Sequence, residues 1–335
     1  MNGSGGISRV MALKALTAAM LFVLTSQAGA QEAHLPEKPR AQKAGVQHKI
    51  SELTPTATFR LGGDPDWMAV TDDGIWVAIS RLNRVVHLEA ATNRAGTQVE
   101  VAEPCSGLVA DFGSIWIPSC KEHKLIRVDA RTGVRQAVID AGPGDSEGGI
   151  SSGAGSIWIV GSKESDLIRI DPVRNRVVAH IRLPPGSMNP VFAHGSLWVS
   201  SSRGGTLVRV DPHRNAVVSE TTVGASPRFL TVGDGAVWVL NQGDGTIARV
   251  DAATGKRTAL ISGGIAGPGG EIAFGEGGVW ATVFNFPITR VDSKSNQVTD
   301  QWLGRGGDSI RVGHNSIWLT DLKGGEVWRI PLPVR

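Results

Sequence analysis

The chain has 335 residues, with 43 Gly, 17 Pro, 10 Trp and no Tyr, and 19% of its residues are charged. Glycine at this level without a strict period of three predicts many tight turns and excludes a collagen-like chain. The formal net charge of +3 is small and evenly scattered. This excludes the concentrated basic surface of a nucleic-acid-binding protein.

The N-terminal residues 1–30 have the pattern of a secretory signal peptide. A basic start precedes an apolar stretch at residues 15–24, and Ala28-Gly29-Ala30 supplies the small residues of a cleavage site. No later segment reaches the roughly 18 apolar residues that a membrane helix needs. We therefore expect an exported protein, periplasmic or secreted, with no transmembrane segment after cleavage.

A polar segment that contains Pro and Lys follows at residues 31–50. Its low hydrophobicity predicts a disordered leader, so the folded domain is expected to span residues 51–335. The sequence leaves open whether translation starts at Met1 or at Met11, from which the signal peptide would have a more usual length.

Seven tryptophans recur in one sequence context at intervals of about 40 residues, which defines an internal repeat. They are Trp76, Trp116, Trp158, Trp198, Trp238, Trp280 and Trp318. An Arg-Val-Asp or Arg-Ile-Asp element follows in five repeats, and it becomes His87-Leu88-Glu89 in the first and Arg329-Ile330-Pro331 in the last. Turn residues divide each period into four short strands, a to d. This pattern predicts an all-β, seven-bladed β-propeller with four-stranded blades.

Two details of the repeat predict how the blades are built. The tryptophans are expected to fill the space between neighbouring blades. The Asp that closes strand c is expected to accept backbone N–H bonds in the following turn, where an Asn or Gly supplies a left-handed conformation. The last repeat ends after strand c, whereas Thr56–Gly62 has a strand-d pattern with no strand before it. We therefore expect the N-terminal strand to close the last blade and remove an exposed sheet edge.

The two cysteines fall on opposite sides of the predicted a–b hairpin of the second repeat. With the hairpin centred on residues 111–114, Cys105 and Cys120 oppose each other. Directly opposed positions bring Cβ atoms to roughly 4 Å, the separation of a disulfide. An exported chain keeps such a bond, so the sequence predicts a Cys105–Cys120 disulfide.

Candidate ligand-binding residues lie where the d–a and b–c loops meet over the central channel. Asp66, Arg228 and Asp308 lie ten residues before the Trp of their repeats, and Asn189 and Glu271 lie nine residues before it. Arg203 and Asp321 come from the b–c loops. Asp66 and Asp308 belong to adjacent blades, and their repulsion favours either a bound cation or a raised pKa on one of them. Arg228 lies roughly across the channel and would face an anionic group. The alternative is a solvated rim of weak ion pairs.

Other chemistry is weakly indicated. The eight His are scattered singly, without the paired spacing of a metal site, and no nucleophile motif is present. Catalytic residues and metal ligands therefore stay unassigned. A divalent cation, Mg²⁺ or Ca²⁺, is the one cofactor that the acidic mouth suggests.

The repeat Gly-Ser-Ile-Trp-Val followed by Arg-Val-Asp-Pro-x-x-Asn resembles the streptogramin (virginiamycin B) lyase-like and YVTN-type bacterial propellers, over roughly Thr56 to Arg335. In true streptogramin lyases strand b continues Trp-Phe-Thr-Glu, and a His and a Glu carry a metal-dependent ring-opening elimination. The third residue after each Trp is here Ile79, Ser119, Gly161, Ser201, Asn241, Val283 or Asp321, so the Glu is missing. Asp251–Lys256 also resembles a quinone-dependent dehydrogenase repeat.

Three functions follow from these observations. The first is an exported binding or scaffold propeller with its ligand, a small molecule or an envelope protein, at the channel mouth. The second is a metal-dependent enzyme of the virginiamycin B lyase or lactonase type. The third is a quinone-dependent oxidoreductase-like protein, which would need a flat aromatic floor in the channel.

Overall fold

The computed structural model describes residues 45–161 and 165–332. The predicted signal peptide and residues 31–44 of the predicted leader lie outside this range. Within it the chain is almost entirely β-structure, with two single-turn 3₁₀ helices at Ile50–Glu52 and Ser80–Leu82. None of the described helices has the length and apolar character to cross a membrane.

In the described part of the chain, twenty-nine strands build seven blades. Two short N-terminal strands come first, β1 (Gln47–Lys49) and β2 (Ala57–Arg60). Blades 1 and 2 contain β3 (Pro65–Val70), β4 (Gly74–Ile79), β5 (Arg84–Glu89), β6 (Arg94–Glu100), β7 (Val109–Asp111), β8 (Ser114–Ser119), β9 (Lys124–Asp129) and β10 (Arg135–Ile139). Blades 3 and 4 contain β11 (Ile150–Gly153), β12 (Ser156–Gly161), β13 (Asp166–Asp171), β14 (Arg176–Arg182), β15 (Ser187–Ala193), β16 (Ser196–Ser201), β17 (Thr206–Asp211) and β18 (Ala216–Thr222).

The remaining strands complete the ring. Blades 5 and 6 contain β19 (Pro227–Gly233), β20 (Ala236–Asn241), β21 (Thr246–Asp251), β22 (Arg257–Ser262), β23 (Glu271–Gly275), β24 (Gly278–Val283), β25 (Phe286–Asp292) and β26 (Gln297–Leu303). Blade 7 contains β27 (Ile310–Gly313), β28 (Ser316–Asp321) and β29 (Glu326–Pro331). The innermost strand of each blade contacts that of the next, including β27 with β3, so the ring is closed around a central channel. The predicted seven-bladed propeller is confirmed.

Antiparallel alternation gives the propeller two different faces. The a–b hairpins and c–d turns, such as residues 153–156 and 171–176 of blade 3, lie together on what we call the turn face. The d–a and b–c loops, such as residues 183–186 and 202–205 of blade 4, lie on the opposite end, which we call the mouth face.

The N-terminal strand closes blade 7 as the sequence predicts. Strand β2 pairs antiparallel with β29, with Ala57 opposite Arg329 and Arg60 opposite Glu326. The N–H of Thr56 extends the ladder to the carbonyl oxygen of Arg329 at 2.8 Å. This pairing satisfies backbone groups that an open last blade would leave exposed.

The structure places strand β1 inside the segment predicted as a disordered leader. Residues Gln47–Lys49 pair parallel with β26 and add a fifth strand to blade 6. Ile50 and Leu53 then pack against a core cluster that contains Trp302 and Trp328. Composition suggested disorder, but these two apolar side chains bury surface that helps to hold the strand in place.

A tryptophan and an arginine hold each regular seam between blades. Trp158 is fully buried, and the Arg169 guanidinium lies 4.9 Å from its ring centroid. Arg169 Nε donates to Ser156 Oγ at 2.8 Å. Its Nη1 donates to Pro212 O at 2.7 Å and Asn215 Oδ1 at 3.1 Å, both in the next blade. The same Arg–Trp stacking recurs for Arg127, Arg209, Arg249, Arg290 and Arg329.

Blade 1 departs from this arrangement. His87 takes the place of the arginine and lies 3.1 Å from Asp73 instead of reaching the next blade. Trp76 Nε1 is buried without a hydrogen-bond partner among the described residues. Gly74 replaces the usual Ser, and a Cβ there would come within 2.0 Å of the Leu88 carbonyl oxygen. Among the described residues, the His87 side chain therefore supplies none of the bonds to the next blade that the repeated arginine makes in the regular seams.

The aspartate that closes strand c organises the c–d turn. Asp171 Oδ1 accepts from the N–H groups of Val173 at 2.8 Å and Arg174 at 3.0 Å. These bonds, with the Arg174 side chain, lower the pKa of Asp171 to about 2. Asn175 has a left-handed φ of 52°, as predicted for a turn of this kind. Equivalent aspartates with lowered pKa values are Asp129, Asp211, Asp251 and Asp292.

Cys105 and Cys120 form the predicted disulfide, with Cα atoms 5.9 Å apart. The regular hairpin ladder does not reach them, because strand a of blade 2 begins only at Val109. Ser106 and Gly107 instead adopt positive φ values of 66° and 75°. The disulfide therefore fixes an irregular d–a loop beside the channel rather than the end of a continuous hairpin.

Candidate functional site at the channel mouth

Three of the predicted residues lie at the mouth end of the innermost strands. Asp66 and Arg228 are the second residues of β3 and β19, and Asp308 comes two residues before β27. All three are half-buried. Because strand a lines the channel, each blade delivers this position to the same rim.

Asp66 and Asp308 lie close together, and the pKa values of both are raised. Burial, with the negative charges of Asp308, Glu147 and Glu271, raises the pKa of Asp66 well above its usual value. Burial also raises the pKa of Asp308, although the Gly270 N–H, 3.1 Å from Oδ1, and a hydrogen bond with Asp66 act in the opposite direction. The sequence analysis expected a bound cation or a raised pKa on one of these residues, whereas burial and repulsion here raise the pKa of both.

Glu147 belongs to the same group and was missed by the sequence analysis. It lies on the long d–a loop before β11, eleven residues before Trp158 instead of ten. Burial raises its pKa, opposed by Arg228, whose Nη2 is 3.9 Å from Glu147 Oε2. The signal available in the sequence was the length and acidity of this loop, which also carries Asp145.

Arg228 is engaged by the protein itself. Besides Glu147, its guanidinium lies 5.7 Å from the ring centroid of Phe229. Its Nε is buried with no partner among the described residues. The predicted role of Arg228 as a free anion-binding group therefore competes with this internal ion pair and stacking contact.

Glu271 is buried and fixed from blade 7. Its Oε2 accepts from Ser309 Oγ and from the Ile310 N–H at 3.4 Å, and it forms an ion pair with Arg311. Arg311 was also missed, although it is the one charged residue at its repeat position. The equivalents there are Ala69, Val109, Ser151, Val191, Thr231 and Ala273.

Two aromatic rings cross the channel just inside the mouth. Trp67 from blade 1 and Phe229 from blade 5 have ring centroids 5.8 Å apart and planes inclined by 56°. Both side chains are buried. The rings therefore form a folded partition and not the flat floor that a quinone cofactor would stack on.

Asn189 ties two blades together beneath the rim. Its Nδ2 donates to Arg228 O at 2.9 Å and to Glu147 O at 3.4 Å. Ser200 Oγ donates to the same Arg228 carbonyl at 2.7 Å. Asn189 thus positions the backbone that carries the Glu147–Arg228 pair.

Arg203 and Asp321 lie apart from this cluster. Arg203 is exposed and lines a groove with Gly186 and Met188. Asp321 is buried, lies 3.2 Å from Arg305 Nη1 and accepts from the Gly324 N–H at 3.0 Å. It borders a separate cavity of about 300 Å³ between blades 6 and 7. The structure thus brings together Asp66, Asn189, Arg228, Glu271 and Asp308, but not these two.

The side chains do not form a recognisable metal centre. In the part of the chain that the structure describes, no group of three or more His, Cys, Asp or Glu residues could hold a metal ion. The strand-b Glu of streptogramin lyases is also absent from the sequence. The residues present therefore do not fit the divalent cation that a lyase reaction would use.

Comparison with known proteins identifies the fold. No family model and no curated protein sequence matches this chain. A streptogramin B lyase structure superimposes with a TM-score of 0.66 at 18% identity, over 82% of this chain and 95% of that one. A catalytically inactive virginiamycin B lyase from Staphylococcus aureus with quinupristin gives 0.69 at 18%, over 84% and 99%.

A third solved structure shares this architecture. BamB from Moraxella catarrhalis superimposes with a TM-score of 0.60 at 14% identity, over 84% of this chain and 100% of that one. Identities this low establish architecture and not activity. With seven repeats, a closed ring and these similarities, the chain has the fold of a streptogramin lyase-like seven-bladed β-propeller.

Proposed function

We propose that this protein is an exported β-propeller that binds a small ligand at the channel mouth. The observation that carries the proposal is the convergence of Asp66, Glu147, Glu271 and Asp308 from four different blades. Burial and mutual repulsion raise the pKa values of three of them, Asp66, Glu147 and Asp308. Titratable groups perturbed in this way cluster at functional sites, where a ligand relieves the strain.

The charge balance indicates the chemistry of the ligand. The four carboxyl groups are opposed at close range by Arg228 and Arg311, and each of these already pairs with one of them. A ligand with a cationic group or several hydrogen-bond donors would therefore be favoured over an anion. Its binding would also favour the ionised forms of Asp66 and Asp308 and therefore release protons.

Proton release provides the test. Calorimetric titration with Ca²⁺, Mg²⁺, small amines and small carboxylates is carried out in two buffers of different ionisation enthalpy. We expect a cationic ligand to bind with release of protons, and Asp66→Asn with Asp308→Asn to remove both binding and release. The control, Asp72→Asn, changes an exposed carboxylate on the turn face. Binding that the double variant leaves unchanged would move the site elsewhere.

Export is supported by two independent features. The N-terminal residues have the composition of a signal peptide, and the Cys105–Cys120 disulfide suits an oxidising compartment. Fractionation with N-terminal sequencing tests the proposal. A mature chain that begins near Gln31 is expected in the periplasm or medium, and an uncleaved chain with free thiols in the cytoplasm would contradict it.

A second candidate is an enzyme that uses acid–base chemistry. The observation in its favour is that Asp66 and Asp308 lie close together with raised pKa values, since such a pair of carboxyl groups can both donate and accept a proton. Incubation with a streptogramin depsipeptide and with simple lactones, followed by mass spectrometry, tests this function. Ring opening that is lost in Asp308→Asn would favour it over a binding protein, whereas unchanged substrates would leave the binding proposal in place.

A further inference from the structure

A separate cavity lies in the channel behind the aromatic partition. It has a volume of about 340 Å³, and Trp67, Phe229 and Glu271 border its inner end. Its lining residues become progressively more exposed along the strands, from buried Leu230 to Val232, which is 37% exposed. The cavity therefore opens on the turn face, away from the mouth, and Trp67 and Phe229 separate the two compartments.

Apolar side chains share the walls of this cavity with polar side chains and strand backbone. Ile150, Pro190, Leu230 and Ile272 are buried along the channel, and Phe192 and Phe274 lie near the opening. Apolar walls of this kind bind the hydrocarbon part of a ligand by removing it from water. A volume of about 340 Å³ accommodates a small molecule and not a peptide segment of any length.

The inner end of the cavity carries polar acceptors. Glu271 and Asn189 are each 6% exposed. Among the described residues, every hydrogen bond to the Glu271 carboxylate and its ion pair with Arg311 reach Oε2, which leaves Oε1 without a donor. Asn189 similarly bonds through its two nitrogen groups and not through Oδ1. Two buried side chains thus present unused acceptor oxygens at the inner end of the cavity.

Charge decides which polar group these acceptors suit. Glu271 is balanced by Arg311, but its charge is close enough to Asp66, Glu147 and Asp308 to contribute to their raised pKa values. The end of the cavity is therefore electronegative, which disfavours a carboxylate. The Trp67 and Phe229 rings add aromatic surface, which attracts a cation.

We propose that the channel cavity is a second binding site, open on the turn face, for a small amphipathic amine. The apolar body of the ligand lies among Ile150, Leu230 and Phe274. The ammonium group donates to Glu271 Oε1 and Asn189 Oδ1 beneath the aromatic partition. The site shares Glu271 with the mouth cluster, but Trp67 and Phe229 lie between the two compartments, so the two ligands do not compete for space.

Three probes with one apolar body and different head groups test the proposal: 4-phenylbutylamine, 4-phenylbutanol and 4-phenylbutyrate. Calorimetry of the mature protein at neutral pH is expected to show the amine binding about tenfold more tightly than the alcohol, because a hydrogen bond to a charged group is the stronger one. The carboxylate is expected to bind most weakly. In Glu271→Gln the amine should bind only as tightly as the alcohol.

Steric variants locate the binding independently of Glu271. Thr231 lines the cavity, and Thr231→Phe should fill it and abolish binding of both the amine and the alcohol. Thr222→Phe makes the same change on an exposed outer strand and should leave binding unchanged. The proposal is overturned if Thr231→Phe binds the amine normally, if the carboxylate binds best, or if Asp66→Asn and not Thr231→Phe removes amine binding.

Discussion

On the turn face, each repeated aspartate is held by backbone N–H groups, and its pKa is lowered; on the mouth face, Asp66 and Asp308 have raised pKa values. Asp171 accepts two N–H bonds within its own turn, whereas Asp66 is half-buried close to the carboxyl groups of Asp308, Glu147, Glu271 and Asp64. The same residue type therefore stabilises the fold at one end of the blades and opposes it at the other. Crowding that costs stability, at positions where the repeat does not require it, is typical of a ligand site.

The largest expected effect on the free energy of unfolding comes from removing an arginine that joins neighbouring blades on the turn face. We expect Arg169→Ala to lower the free energy of unfolding by about 2–4 kcal/mol, because it removes charged hydrogen bonds to the next blade and a cation–π contact. His87→Ala, the same position in blade 1, should cost clearly less, since His87 makes no bond to the next blade. Chemical denaturation measures both, and equal losses would show that the arginine seams carry no special stability.

Placing in blade 1 the Ser that most repeats have at this position should destabilise the protein. Gly74→Ser introduces the missing Ser, but its Cβ would lie 2.0 Å from the Leu88 carbonyl oxygen. We expect a loss of about 1–3 kcal/mol from overpacking. Ala236→Ser is the matched control in blade 5, where a Cβ is already present and Arg249 can use the new hydroxyl. A stabilising Gly74→Ser would contradict the packing argument, and the denaturation midpoint decides.

Removing the charge of Asp66 should stabilise the protein at neutral pH. A raised pKa in the folded state means that this carboxyl opposes folding increasingly as pH rises above the unfolded value of about 3.9. Asp66→Asn is therefore expected to raise Tm by about 2–4 °C at pH 7 and to have no such effect near pH 4. Asp72→Asn on the turn face serves as control. A lower Tm at pH 7 would indicate that Asp66 supports the fold.

The turn aspartates should show the opposite pH dependence with a smaller amplitude. The pKa of Asp171 is about 2, so its charge contributes stability above the unfolded value near 3.9, and this is lost as pH falls towards 2. Asp171→Asn should lower Tm by about 1–2 °C at pH 7 and converge with wild type at pH 2. The control is Asp140→Asn, at a carboxylate whose side chain is 90% exposed. Curves for Asp171→Asn that stay parallel to wild type down to pH 2 would contradict this assignment.

The candidate site was only partly predictable from sequence. Counting back from the Trp found Asp66, Arg228, Glu271 and Asp308, because strand a delivers equivalent positions to one rim. It missed Glu147, since the d–a loop of blade 3 is longer than its equivalents and shifts the acidic residue off the repeat. Arg203 and Asp321 were included because they occupy b–c loops, but these loops border grooves between blades instead of the channel.

The sequence by itself determined the blades, the closing strand, the buried tryptophans and the c–d turns, because each has a local pattern that repeats with a period of about 40 residues. It also predicted the disulfide from hairpin opposition. Tertiary structure alone decided that β1 adds to blade 6, that Trp67 meets Phe229 across the channel and that four carboxyls share one mouth. These contacts join residues from blades distant in the chain, and the side-chain directions and loop lengths that create them do not repeat.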